Sequence, residues 1–191
     1  MGGRAVFLVG FMASGKSSVG PELARRLGWE FVDLDTRIES RLGKTIPEIF
    51  RESGEPGFRL VETAALQDLL TRSLHRDSVV ALGGGAFVQE KNPELLRHWP
   101  TVFLDAPVDE LWRRSLSDGV ERPLRHDREQ FARLHAERLP FYREASLTVT
   151  THGKLVASIC AEIEEALQLA QAQETAAPAI RRTGFDTGES K

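Results

Sequence analysis

Gly10-Phe11-Met12-Ala13-Ser14-Gly15-Lys16-Ser17 matches the pattern G-x-x-x-x-G-K-[ST] at each of its fixed positions. An apolar run at 5–9, typical of a buried strand, precedes this stretch, and apolar residues recur at helical spacing over 19–27. A strand, a glycine-rich turn and a helix in this order form an anion site, because the turn exposes backbone N–H groups and the helix N-terminus adds a positive dipole end. The stretch therefore predicts a phosphate-binding loop. A chance glycine-rich turn is the alternative.

The residue types of this phosphate loop (residues 10–17) indicate roles toward a bound triphosphate. Lys16 supplies a mobile positive charge for the β- and γ-phosphates, and Ser17 supplies a hydroxyl for Mg²⁺. Lys16 is also the only lysine before Lys44, in a region that otherwise uses arginine for positive charge. We expect the nucleotide to be bound by Gly10, Ala13, Ser14, Gly15, Lys16, Ser17 and Ser18.

Length and composition limit the classes of protein that this chain can represent. Its 191 residues, 41% of them hydrophobic, suffice for one domain with a full core. A net charge of −3 disfavours nucleic acid as a partner. Cys160, the only cysteine, excludes an internal disulfide and is expected to be a packed core thiol. No apolar run reaches the roughly 18 residues of a membrane span, so we expect a cytoplasmic protein without a membrane partner.

Apolar runs alternate with helical patterns along the chain. Helical periodicity appears, for example, at 92–99 and 108–117. Repeated strand-then-helix order favours a parallel sheet covered on both faces, that is, a three-layer α/β/α fold. The five predicted strands are 5–9, 31–35, 78–82, 101–105 and 147–150.

Two carboxylates, Asp33 and Asp35, end the second predicted strand. In an open α/β sheet, functional side chains collect at the carboxyl ends of strands. Because strand side chains alternate, residues two apart point the same way, so both carboxylates are expected to face one cleft that holds Mg²⁺ and a proton acceptor. The alternative is that Asp35 caps the following helix and Asp33 is merely solvated.

Two further segments suggest ligand contacts. Residues 54–62 predict a turn-rich loop leading into a helix, with Arg59 and Glu62 three positions apart. This pair is either an ordinary i,i+3 ion pair or a device by which Glu62 holds Arg59 for a ligand carboxylate. The run Gly83-Gly84-Gly85 after the third strand lets a ligand approach backbone N–H groups closely.

Residues 113–143 contain eight arginines and no lysine. Asp118-Gly119 and Pro123 predict a loop at 117–127 before a helix that starts near 128. An arginine-bearing loop over an anionic ligand can order on binding and exclude water, as a mobile lid does. The alternative, a solvated helical face, is preferred for Arg125, Arg128, Arg133 and Arg143.

The C-terminal part of the chain predicts one more helix and a tail. The helix at 154–172 is amphipathic and is expected to pack through Leu155, Ile159, Ile163 and Leu167. Residues 173–191 show no periodicity and are expected to be disordered. A single domain would thus occupy 1–172, with its lid at 117–127.

Six sequence blocks in this order resemble shikimate kinase, a P-loop family of the nucleoside monophosphate kinase structural group. The likeness extends over about residues 6–167. The blocks are Gly10-Phe11-Met12-x-x-Gly15-Lys16-Ser17, Asp33-Leu34-Asp35, Gly54-Glu55-x-x-Phe58-Arg59-x-x-Glu62, Gly83-Gly84-Gly85, Arg122-Pro123-Leu124 and Glu137-Arg138-x-x-x-Tyr142.

The resemblance implies ATP-dependent phosphorylation of the shikimate 3-hydroxyl. It implies a shikimate-binding set of Asp35, Arg59, Gly84 and Arg138, to which the neighbouring Gly83 and Gly85 are added. It makes Ser17 and Asp33 the neighbours of Mg²⁺, Arg122 a lid residue on the phosphates and Arg114 the residue stacked on adenine. The expected catalytic residues are Lys16, Asp35 and Arg122.

The chain departs from the family pattern at two positions. Ala13 stands where the family often has glycine, and the extra methyl is expected to be tolerated at a negative φ. Arg125 follows the Arg-Pro-Leu block where leucine is common. Two other functions stay open: a gluconate or nucleotide kinase, which would lack a reason for Arg59 and Arg138 to converge, and a ligand-sensing module without turnover. We expect a monomer.

Overall fold

The computed structural model describes residues 3–117 and 127–169 of the chain. Its centre is a five-stranded parallel sheet with the strand order β2-β3-β1-β4-β5. The strands are β1 Ala5–Val9, β2 Glu30–Asp33, β3 Ser78–Ala81, β4 Thr101–Asp105 and β5 Leu147–Thr150. The helices are α1 Lys16–Leu27, α2 Leu34–Leu42, α3 Ile46–Asp68, α4 Lys91–Leu96, α5 Val108–Ser117, α6 Arg128–Tyr142 and α7 Val156–Ala166.

The central strand β1 is buried along its whole length, because helices cover both faces of the sheet. Phe7 and Val9 join a core shared with α2 to α6, whereas Val6 and Leu8 join a second core shared with α1 and α7. This alternation places one apolar layer on each side of the sheet. The predicted three-layer α/β/α fold with five parallel strands is confirmed.

Arg59 and Glu62 lie on a helix as expected, but the turn-rich loop predicted before them is wrong, since the whole segment belongs to α3. Only Gly54 departs from helical geometry, with φ 65° and ψ −178°, and it separates two helical segments. Pro56 lies in the first turn of the second segment, where its missing N–H costs no hydrogen bond. The glycine and proline that indicated a loop therefore mark a kink between two helices.

The final helix differs from its predicted bounds. It begins at Val156, and Leu155 occupies the N-cap position with 78% of its surface exposed, so its expected core role is wrong. Ile159 and Ile163 are buried as expected. The Cys160 side chain is also buried, and its S–H points to the Val19 carbonyl oxygen at 3.7 Å. Burial raises the pKa of this thiol to about 11, which confirms a packed, unreactive cysteine.

Two other element boundaries also differ from expectation. Strand β2 ends at Asp33, so Asp35 lies in α2 and not in a strand. Helix α4 ends at Leu96, three residues before its predicted end. The predicted tail at 173–191 lies outside the described residues. Within the described ranges, no helix combines the length and the apolar character that crossing a membrane requires.

Candidate active site

The phosphate loop joins the carboxyl end of β1 to the N-terminus of α1. Gly15 occupies the N-cap position of α1 with φ 106°. Gly10 has φ 143°, and a Cβ atom there would lie 2.9 Å from the Leu104 carbonyl oxygen. Glycine is therefore required at position 10 both by backbone conformation and by the close approach of β4.

Ala13 adopts the left-handed conformation, with φ 61°, so the negative φ at which its methyl was expected to be tolerated is not found. The loop turns in the way that glycine permits, and the alanine methyl is accommodated at a steric cost of about 1–2 kcal/mol. The departure from the family pattern at this position is therefore a source of backbone strain beside the phosphate site.

Lys16 folds back over the phosphate loop. Its Nζ donates to the carbonyl oxygens of Gly10 at 2.8 Å and Phe11 at 3.0 Å, and lies 3.4 Å from Ser14 Oγ. These contacts hold the ammonium group against the concave side of the loop. A phosphate bound in the loop would meet both backbone N–H groups and this charge.

A cavity of about 1000 Å³ extends from the phosphate loop across the carboxyl end of the sheet. It brings together most of the nucleotide-binding and acidic residues that the sequence predicted. Those lining it are Ala13, Ser14, Gly15, Lys16, Ser17, Ser18, Asp33, Asp35, Gly83, Gly84 and Arg114. Those placed beside it and not on its wall are Gly10, Arg59, Gly85 and Arg138.

Asp33 and Asp35 both line this cavity, although the alternation argument that placed them there is wrong. Asp33 is the N-cap of α2 and accepts a hydrogen bond from the Thr36 backbone N–H at 3.1 Å. An aspartate does cap this helix, as the alternative proposed, but it is Asp33 and not Asp35. Asp35 follows in the first turn of α2.

Asp35 has a carboxylate oxygen that accepts no hydrogen bond from the described residues. This oxygen, Oδ1, is buried. Burial raises the pKa of Asp35, and the charge of Asp33 raises it further, while Lys16 and Arg59 oppose the change. A buried carboxylate oxygen left unpaired is costly, so this position favours a ligand that offers a hydroxyl.

Gly83 lies at the point where Asp35 meets a second acidic side chain. A Cβ atom at position 83 would be 2.8 Å from both Asp35 Oδ1 and Glu62 Oε1, so the two oxygens are within twice that distance of each other. Any side chain at this position would crowd both carboxylates. The first glycine of the run therefore keeps the space between them open.

Arg59 and Glu62 form the ion pair predicted from their spacing, with Nη1 2.8 Å from Oε2. Glu62 is fully buried, and burial raises its pKa to about 7 although Arg59 lowers it. Glu55 also binds Arg59, with Oε1 2.9 Å from Nη2. Sequence reasoning missed Glu55, although its i,i+4 spacing was available as a signal. The guanidinium group lies against Gly85.

Arg138 approaches the same glycine run from α6. Its Nη1 donates to the Gly84 carbonyl oxygen at 3.3 Å, and its Cζ lies 6.0 Å from the centre of the Phe11 ring. No carboxylate of the described residues forms an ion pair with Arg138. A half-buried guanidinium without a counter-ion is suited to binding an anionic group of a ligand.

Arg114 lines the cavity and is held by Glu110 of its own helix, α5, and by Thr151, which follows β5. Its Nε donates to Glu110 Oε1 at 3.1 Å, and its Nη1 and Nη2 donate to the side chain and carbonyl oxygens of Thr151 at 3.1 and 3.2 Å. These contacts fix the plane of the guanidinium at the cavity wall. A fixed guanidinium plane is suited to stacking on an aromatic base.

Of the other arginines at 113–143, two on α6 form exposed ion pairs, and two lie outside the described residues. Arg128 pairs with Asp109 at 2.6 Å, Arg133 lies 4.0 Å from Glu129, and both pairs are exposed, which confirms the solvated face. The predicted lid residue Arg122 and its neighbour Arg125 lie outside the described residues, as does most of the lid expected at 117–127.

Comparison with known proteins identifies what kind of molecule carries this cavity. Residues 12–168 match a family model described as shikimate kinase. A shikimate kinase of Chlorobium chlorochromatii is 42% identical over 175 residues, which cover 85% of this chain and 90% of that protein.

Solved structures agree with the sequence comparison. A shikimate kinase from Bacteroides thetaiotaomicron superimposes with a TM-score of 0.79 at 31% identity, covering 86% of this chain and 98% of that one. One from Acinetobacter baumannii, in complex with shikimate, gives 0.77 at 38% identity and covers 90% and 95%. The chain belongs to the shikimate kinase family.

Proposed function

We propose that this protein transfers the γ-phosphoryl group of ATP to the 3-hydroxyl of shikimate, forming shikimate 3-phosphate and ADP. The observation that carries the proposal is the shared cavity: the phosphate loop and Asp35 line the same space. Phosphoryl transfer needs a donor and an acceptor held together with charge around the moving group, and this arrangement supplies both.

The nucleotide would lie along the phosphate loop. Lys16 would leave its carbonyl partners in the loop and neutralise charge on the β- and γ-phosphates as the transfer proceeds. Arg114, held by Glu110 and Thr151, would stack on the adenine base. The role of Arg122 on the phosphates stays a prediction from the sequence.

Ser17 and Asp33 are the residues that would hold Mg²⁺. A hydroxyl and a carboxylate, both on the cavity wall, fit this ion, which prefers oxygen ligands and keeps phosphate and water in most of its positions. The described residues contain no cluster of three or more His, Cys, Asp or Glu side chains that could hold a metal by themselves. When bound, Mg²⁺ supplies positive charge for the transferring phosphoryl group.

Asp35 would accept the proton of the attacking hydroxyl. As the 3-oxygen of shikimate forms its bond to the γ-phosphorus, the bond from phosphorus to the β,γ-bridging oxygen breaks and ADP leaves with that electron pair. The hydroxyl proton passes to the Asp35 carboxylate. Burial raises the pKa of Asp35, which makes it a better proton acceptor than an exposed aspartate.

Arg59 and Arg138 would bind the shikimate carboxylate. Both guanidinium groups lie against the glycine run 83–85, one from α3 and one from α6. Glu62 holds Arg59 from its buried side, which leaves the exposed side to Glu55 or to a ligand. A polyol acid presents one carboxylate and several hydroxyls, and this pairing of arginines with an unpaired aspartate matches both.

A coupled ADP-release assay across shikimate, quinate, gluconate and nucleoside monophosphates tests the proposal. Turnover with shikimate at least about tenfold above the other acceptors in kcat/KM is expected. Turnover with gluconate or a nucleotide alone would identify a different kinase. Shikimate binding without ADP release would identify a sensing module.

Asp33→Asn and Asp35→Asn form a matched pair within this assay. Asp33→Asn should raise the Mg²⁺ concentration needed for half-maximal rate, whereas Asp35→Asn should stay slow at saturating Mg²⁺. Equal rescue of both variants by Mg²⁺ would refute the assignment of separate roles. We further propose a cytoplasmic monomer whose kinase domain occupies 1–172.

A further inference from the structure

Tyr142, the only tyrosine of the chain, closes α6 and is almost fully buried. Its ring stacks on Phe103 of β4, with centroids 5.3 Å apart and planes at 24°. Its hydroxyl donates a hydrogen bond to the Gly84 carbonyl oxygen. Tyr142 does not line the cavity, and this bond connects it to Gly84, which does.

The Gly84 carbonyl oxygen accepts hydrogen bonds from both Tyr142 and Arg138, and we call this shared acceptor the Gly84 junction. Arg138 lies one helical turn before Tyr142 and donates to the same oxygen at 3.3 Å. Burial raises the pKa of Tyr142 to about 12, although Arg138 lowers it, so the hydroxyl stays protonated and remains a donor. The charges of Arg59 and Glu62 also affect the pKa of this hydroxyl.

The peptide group of Gly84 requires contacts from other residues to fix its orientation. Glycine loses more backbone freedom on ordering than any other residue, so the orientation of its peptide group depends on the bonds that it makes. Its Cα lies over the phosphate loop, since a Cβ atom there would be 3.6 Å from the Met12 backbone nitrogen. Tyr142, with its ring stacked on the sheet, is a rigid anchor for that peptide group.

We propose that Tyr142 is a positioning residue for substrate binding: its hydroxyl fixes the Gly84 carbonyl and thereby the direction in which Arg138 presents its guanidinium to the substrate carboxylate. This inference rests on the proposed function. It assigns a role in substrate binding to a hydroxyl group of a residue that does not line the cavity.

Tyr142→Phe tests the inference because it removes only the hydroxyl and keeps the stacked ring. We expect the KM and the calorimetric dissociation constant for shikimate to rise about five- to tenfold, as for one lost hydrogen bond to a recognition group. The kcat and the KM for ATP should stay within about twofold. In Arg138→Lys the same change should have little further effect, because residues that act as a unit are not additive.

Thr101→Val is the matched control. Thr101 is buried at the amino end of β4, and its hydroxyl oxygen accepts from the Ser146 backbone N–H at 2.9 Å. Its loss should lower the melting temperature as much as Tyr142→Phe does and leave the shikimate KM unchanged. Phe103→Leu keeps the Tyr142 hydroxyl but removes the aromatic ring on which Tyr142 stacks, and it should also raise the shikimate KM. This variant replaces Tyr142→Phe as the test if Tyr142→Phe does not fold.

Three results would overturn the inference while the proposed function stands. These are an unchanged shikimate KM in folded Tyr142→Phe, an equal rise in the control, and an equal rise in the ATP KM. A wild-type protein that leaves shikimate unphosphorylated would overturn the proposed function, and this inference with it.

Discussion

Glu62→Gln should change how the stability of the protein depends on pH. Glu62 has none of its surface exposed, and among the described residues it pairs with Arg59, whose Nη1 lies 2.8 Å from Oε2. Burial raises the pKa of this carboxyl from its ordinary value of 4.5 to about 7, although Arg59 lowers it. Glutamine has nearly the same shape and can still accept from Arg59, but it cannot ionise.

The size of the effect follows from the two pKa values. The folded protein holds a proton at Glu62 more tightly than the unfolded chain does, so the contribution to stability is complete below pH 4.5 and is lost as the pH rises to 7. A shift of one pKa unit corresponds to about 1.4 kcal/mol, so the total loss of stability is about 3 kcal/mol, and most of it falls between pH 5 and pH 8. Because glutamine does not ionise, Glu62→Gln should not lose this stability as the pH rises.

Urea unfolding followed by circular dichroism at pH 5, 6, 7 and 8 measures the effect. The difference in unfolding free energy, variant minus wild type, should increase by about 2–3 kcal/mol over this range. Glu55→Gln is the control, because Glu55 binds the same arginine from an exposed position and should follow the wild-type curve. Parallel curves for Glu62→Gln and wild type would refute the reasoning.

Ala13→Gly should raise the unfolding free energy by about 0.5–1 kcal/mol, since relief of the left-handed alanine exceeds the entropy cost of glycine; a loss of stability in urea unfolding would contradict this. Lys16→Met should lower kcat about 100-fold or more at an unchanged melting temperature, and near-normal kcat would contradict its role. Arg59→Lys should weaken shikimate binding by about 1–3 kcal/mol in calorimetry and leave ATP binding unchanged; an equal loss for ATP would place Arg59 at the nucleotide. Glu55→Gln should strengthen shikimate binding up to about fivefold, because Glu55 occupies Arg59 in the structure, and weaker binding would show that Glu55 assists instead.

The fold and the phosphate site are predictable from the sequence because their signals are local. A strand buried on both faces is apolar at every position, as β1 is, and the loop after it needs glycine at fixed spacing. Neither signal depends on what the rest of the chain does. The five strands and their parallel arrangement follow from patterns of this kind.

The wrong predictions from the sequence concern segments whose local pattern is compatible with two different structures. Glycine and proline at 54–56 are compatible with a loop or with a break between two helices, and packing of the following segment selects the break. Leu155 matches the helical period of Ile159, but a residue that precedes the first turn does not face the core. Asp33 and Asp35 were separated by a strand end that the sequence does not mark.

The Gly84 junction could not be predicted, because its parts are distant in sequence. Tyr142 bonds to a carbonyl 58 residues earlier in the chain, and backbone carbonyls carry no signal in side-chain patterns. Arg138 and Tyr142 belong to one sequence motif, but their spacing indicates only a shared helix face. The oxygen that joins them is visible only in three dimensions.

The strand order determines how much of the chain must be synthesised before the central strand can pair with both of its neighbours. Strand β1 leaves the ribosome first, yet its two neighbours in the sheet are β3, beginning at Ser78, and β4, beginning at Thr101. At typical translation rates, the wholly apolar first strand waits roughly 5–20 s for its second neighbour. Nascent or truncated chains that stop before Thr101 expose an unpaired hydrophobic edge and should aggregate or require a chaperone, whereas chains that have passed β4 can complete the centre of the sheet.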